Sequence, residues 1–128
     1  MPFDMSRTMH VFTPTAFGGV QSVIAHDGDP HQIALIRAHL RKEAHAFARG
    51  DYADPASIHG NTMPGLAQLR AGASRIAVRY MNTANGASIT FKTSDPALIS
   101  AIHRWFAAQV RDHGAQAMMN HESSASQR

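Results

Sequence analysis

The stretch DPHQIALIRAHLRKEAHAFARG, residues 29–50, decides how the chain folds. Asp29 offers an N-cap acceptor, and Pro30 sits at the first helical position, where a missing N–H costs nothing. Ile33, Ile36, Leu40, Ala44 and Phe47 recur at three- and four-residue spacing and form one apolar stripe, with Gly50 as the stop. The spacing predicts a helix of about twenty residues. A second stretch, DPALISAIHRWFAAQVRDHG, spans residues 95–114 and repeats the design, with Ile99, Ile102, Phe106 and Val110 inward and Gly114 as the stop.

Upstream of each helix lie two β-prone runs. Ile76, Val78 and Tyr80 alternate with Arg75, Ala77 and Arg79, the period of a half-buried strand. Asn85-Gly86 supplies a turn, and Ala87, Ile89 and Phe91 then alternate with Ser88, Thr90 and Lys92, which predicts a hairpin. In the first half, the run from Met9 to Thr13 leads through Pro14 and Gly18-Gly19 to a second run from Val20 to Ala25. This reads as a hairpin with a loop longer than two residues.

The halves align: Gly19 with Gly86, Asp29-Pro30 with Asp95-Pro96, Ile33 with Ile99, Ile36 with Ile102, Leu40 with Phe106, and Gly50 with Gly114. A duplicated ββα unit accounts for this. The fold expected is α+β, a four-stranded antiparallel sheet with two long helices on one face. It forms a single domain over residues 1–114, with repeats at about 9–50 and 74–114, a connection at 51–73 and a flexible tail at 115–128. The uncovered sheet face would carry Arg75, Arg79, Ser88, Thr90 and Lys92.

Composition limits the chemistry. The 128 residues contain no cysteine, which excludes disulfides, thiolate metal sites and a cysteine nucleophile. Charged residues make up 16% and hydrophobic ones 44%, the balance of a globular chain. The formal charge is +3 without a run of Lys and Arg such as marks a nucleic-acid tail. Met1 to Arg7 lack an apolar signal core, and no segment reaches the roughly eighteen apolar residues of a membrane helix, so a cytoplasmic protein without a membrane partner is expected.

Candidate chemistry gathers on the first helix and in the connection behind it. His39 and Glu43 lie four apart and meet on one helix face, where an imidazole beside a carboxylate suits acid–base work or metal ligation. As a surface pair they would only flank Leu40. His59 and Met63 are also four apart, and a thioether with an imidazole is a soft ligand set that suits copper or haem. His10, with Met5 and Met9, makes another Met/His group at the N-terminus. Met63 serves equally well as a core plug. No phosphate-binding loop, dinucleotide turn or serine elbow occurs.

The run Asp54-Pro55-Ala56-Ser57-Ile58-His59-Gly60, followed by Met63-Pro64-Gly65-Leu66 and preceded by Gly18-Gly19-Val20-Gln21 and the helix carrying His39 and Glu43, resembles a family of small bacterial proteins often labelled aspartate carbamoyltransferase. The resemblance spans roughly residues 10–114 and implies a compact bacterial domain. It implies no transferase residues, because the Ser-Thr-Arg-Thr and His-Pro-Xaa-Gln motifs of that enzyme are absent.

The leading expectation is a binding protein that holds a ligand, copper or haem between the first helix and residues 51–65, using His39, Glu43, His59 and Met63, with His39, His59 and Met63 as the metal set. The alternative is a nucleic-acid or acidic-partner module using Arg75, Arg79 and Lys92 on the sheet. A small His39/Glu43 acid–base enzyme has less support, since no nucleophile accompanies the pair. A homodimer through the open sheet face or a strand edge is a further expectation.

The two helices are alike as scaffold. What separates them is His39, Glu43 and His45 in the first against Trp105, Gln109 and Arg111 in the second.

Overall fold

Two hairpin-and-helix units lie side by side in the structure, a computed structural model that describes residues 3–54, 62–113 and 117–119. The elements are β1 (Thr8–Thr15), β2 (Gly18–Ala25), α1 (Pro30–Ala48), α2 (Leu66–Ala71), β3 (Ala77–Thr83), β4 (Gly86–Lys92), α3 (Pro96–His113) and β5 (Ala117–Met119). Short 3-10 turns at Met5–Arg7 and Ala73–Arg75 precede β1 and β3.

The strands form one sheet in the order β3-β4-β2-β1-β5. All neighbours are antiparallel except β1 and β5, where His10, Val11 and Phe12 pair in parallel with Ala117, Met118 and Met119. The expected four-stranded antiparallel sheet is therefore a five-stranded mixed one, and the expected flexible tail contributes a strand. The duplicated ββα unit is matched in element order alone, since α2 and β5 belong to one half each. Pro14 falls beyond the three residues that β5 covers, at a stretch of β1 edge where a missing N–H is tolerated.

Both hairpins turn through two residues. Thr15 pairs with Gly18 around Ala16 and Phe17, a tighter turn than the Pro/Gly-rich sequence suggests. Thr83 pairs with Gly86 around Ala84 and Asn85. Gly86 thus opens β4, and it is needed there because a Cβ would overlap the Val23 carbonyl of β2.

Both long helices start as their sequences predict. The Asp29 carboxylate accepts the His31 N–H at 3.1 Å, and Asp95 accepts that of Ala97 at 2.9 Å. The helix α1 lies on β3, β4 and β2, and α3 lies on β1, β2 and β5. Between helices and sheet sit Phe12, Val23, Ile36, Leu40, Phe47, Ile89, Phe91, Ile102, Trp105 and Phe106, each under 5% exposed. Gly65, with φ of +83°, lets the chain turn against α3, where a Cβ would overlap the Ala101 carbonyl. Among the described residues no helix is long and apolar enough to cross a membrane.

The uncovered face differs from expectation. The register places Met9, Val11, Val20, Ile24, Met81 and Met118 on it, among Thr13, Ser22, Ser88, Thr90, Arg79 and Lys92. Met81 is 56% and Met118 48% exposed. The strands of the first half supply apolar outward residues that a polar and basic surface would lack.

Candidate functional site

The two helices return from β2 and β4, which are antiparallel, so they run in opposite senses over the sheet. Phe47 of α1 meets Trp105 of α3 edge to face, with ring centroids 5.6 Å apart. Tyr52, just past α1, stacks on Phe47 at 4.7 Å and meets Trp105 at 5.4 Å. One turn back from Phe47 lies Glu43, and one turn on from Trp105 lies Gln109. On opposed helices these steps lead to the same level of the seam. On the sheet floor, His10 and Phe12 point toward the helices, and Phe12 packs on Phe106 at 5.2 Å. Phe3 packs against both His10 and His39, at 5.9 and 5.7 Å.

This apolar seam holds an unusual number of polar side chains. His10, Glu43 and Gln109 are 1%, 7% and 5% exposed. Glu43 Oε1 lies 3.5 Å from His39 Nε2. Oε2 has no hydrogen-bond partner among the described residues, and the nearby Asp54 carboxyl acts on Glu43 through hydrogen bonding and charge. Two carboxyls bond this way only when one carries a proton. Burial, followed by the Asp54 hydrogen bond and charge, pushes Glu43 up from 4.5 to about 8, with Lys42 opposing and Asp51 adding a little. Burial also holds the His39 imidazole below its ordinary value, against the pull of Asp54. At neutral pH the pair is therefore a carboxylic acid beside a neutral imidazole, not a salt bridge.

Three donors in the seam have no hydrogen-bond partner among the described residues: Tyr52 Oη, Trp105 Nε1 and Gln109 Nε2. Tyr52 and Trp105 are each 1% exposed, and burial raises the Tyr52 hydroxyl well above its usual range. Outside α1, a hollow of about 550 Å³ is lined by Arg41, Lys42, His45, Arg49, Asp51 and Asp54 among others. Lys42 and Asp54, 3.8 Å apart, belong both to this hollow and to the surroundings of Glu43.

Of the residues singled out in the sequence, His39 and Glu43 come together, with Glu43 buried rather than on the surface. Met63 is 6% exposed and packs in the hydrophobic core. His59 lies outside the described residues. Among the described residues, no group of three or more His, Asp or Glu side chains is placed to hold a metal ion. His103 is a half-buried anchor, its Nε2 2.8 Å from the Thr15 carbonyl. Tyr52, Trp105 and Gln109 escape a search for catalytic residue types, yet Trp105 and Gln109 are the repeat counterparts of His39 and Glu43. These aligned positions fall on the two opposed helices, so unlike side chains occupy the two sides of the seam.

The basic set is less coherent. Arg75 precedes β3 and pairs with Asp95 at 3.4 Å, while Lys92 lies over the Phe17 ring at 5.3 Å. Arg79 is exposed on the open face beside Thr90. Comparison of the chain with protein-family models, curated proteins and solved structures returns no match.

Proposed function

We propose that the protein is a binding protein whose ligand lodges in the seam between α1 and α3, with Glu43 as its buried acid and His39 and Asp54 as polar neighbours. The observation that carries this reading is Glu43 itself: 7% exposed, paired with a second carboxyl and raised to about 8. A buried acid with a specific charge partner costs stability, and such groups concentrate at functional sites. An acid–base role for the same pair draws on the same shift, since a group titrating near neutrality suits proton transfer. It lacks a nucleophile.

The copper or haem version is less well supported. It rests on His59, which is not among the described residues, and on Met63, whose side chain packs in the core. The nucleic-acid version loses weight as well, because Arg75 is paired with Asp95 and the exposed Met81 stands two residues from Arg79 on the same face. For assembly, the exposed Met81 and Met118 on the open face favour a homodimer through that face.

A fragment screen read by fluorescence of Trp105, the single tryptophan, tests the binding reading. Fragments are expected whose signal disappears in Glu43→Gln and changes as Glu43 titrates near about pH 8 among His39, Lys42, Asp51 and Asp54. If no fragment draws a Glu43-dependent signal, the reading fails.

A further inference from the structure

A donor buried in an apolar seam without a partner loses its hydrogen bonds to water and gains nothing in return. Native interiors hold few such groups, and each calls for a reason. Here three fall within one stretch of one seam. The Tyr52 and Trp105 rings touch, and Gln109 is one helical turn from Trp105 on the same side of α3. Trp105 Nε1 can only donate, and so can the Gln109 amide nitrogen. The unmet demand of these three is for acceptors, and the unpartnered oxygens Glu43 Oε2 and Gln21 Oε1 on the same side of the sheet do not meet it.

We infer that the seam takes a small ligand bearing a carbonyl or carboxylate oxygen, which accepts hydrogen bonds from Trp105 Nε1–H, Gln109 Nε2–H and Tyr52 Oη–H. This rests on the binding reading above and supplies its ligand class. The donors are neutral, and the walls beside them are the Phe47 and Tyr52 rings, so the ligand head is small and its charge at most that of one carboxylate. A cation would meet the wrong ends of these dipoles. An ordered water supplies two acceptor lone pairs and is the competing occupant.

The probes are sodium acetate, acetamide and methylammonium chloride, at constant ionic strength, titrated into the full chain and read by Trp105 fluorescence and the indole N–H proton resonance. Acetate or acetamide is expected to give a saturable change, and whichever binds more tightly tells carboxylate from neutral carbonyl. Methylammonium is expected to give none. Gln109→Leu, close in volume and lacking the donor, is expected to weaken binding about tenfold, the usual scale of one such hydrogen bond. Trp105→Phe, read by the remaining amide resonances, is expected to do the same and guards against a Gln109 variant that misfolds. Saturable binding by methylammonium alone overturns the inference and leaves the site standing with a cationic ligand. No binding by any probe overturns it in favour of water, while Glu43-dependent hits among other fragments would still uphold the site.

Discussion

Substituting Glu43 by Gln isolates what its proton does for the fold. The side chain is 10% exposed, and its value rises from 4.5 to about 8 in the folded protein. A carboxyl raised in this way contributes stability that is fully present below its unfolded value near 4.5 and is lost as pH climbs towards about 8. At ~1.36 kcal/mol per pH unit the window is worth roughly 3–5 kcal/mol, the lower end allowing for its residual exposure and for Asp54. Gln keeps the shape and hydrogen-bonding capacity of the neutral acid but cannot ionise. Below about pH 5 the two proteins should agree in urea unfolding to within ~1 kcal/mol, followed by Trp105 fluorescence. Above about pH 8 the variant should be the more stable by roughly 3–5 kcal/mol. The exposed Asp4 and Asp27, whose values are lowered by hydrogen bonds from Ser6 and Arg7, titrate alike in both and cancel in the difference. Parallel pH profiles for the two proteins would refute the claim that Glu43 carries a proton in the seam.

Three other outcomes follow from the same geometry. Gln109→Leu removes an unpartnered buried amide and should stabilise the unliganded protein by ~1–3 kcal/mol in urea; destabilisation would mean that the amide has a partner. Gly65→Ala should cost more than the ~1–2 kcal/mol of a left-handed non-glycine residue, because its Cβ also meets the Ala101 carbonyl, and thermal unfolding checks this. Met81→Asp, on the open sheet face, should shift sedimentation from dimer to monomer with the fold unchanged by circular dichroism; a wild type that sediments as a monomer removes the dimer reading.

Local chemistry made much of the fold legible. Asp29-Pro30 and Asp95-Pro96 cap the helices their sequences mark, and the strand alternations from Val78 to Tyr80 and Ala87 to Phe91 face the core as their period requires. The signal fails where pairing is distant. Ala117-Met118-Met119 is too short to show a period, and its strand character comes only from His10, Val11 and Phe12 more than a hundred residues away. Both turns lie just before the glycines that mark them in the sequence, because those glycines answer to close contacts across strands, as Gly86 does with Val23. In the site, His39 and Glu43 stand out by residue type and spacing. Gln109 and Tyr52 do not, since amides and phenols are common everywhere and only packing makes them unpaired. His10 shares the inward parity of Phe12, which was readable but by itself names no chemistry.

The protonation state of Glu43, a neutral acid beside His39 and Asp54 at physiological pH, is the feature on which the binding seam depends. Carboxyl carbon NMR of the glutamates, assigned with Glu43→Gln, measures this directly, since only Glu43 and Glu122 contribute. The expected titration midpoint for Glu43 is about 8, whereas a midpoint near the ordinary 4.5 would contradict a protonated acid in the seam.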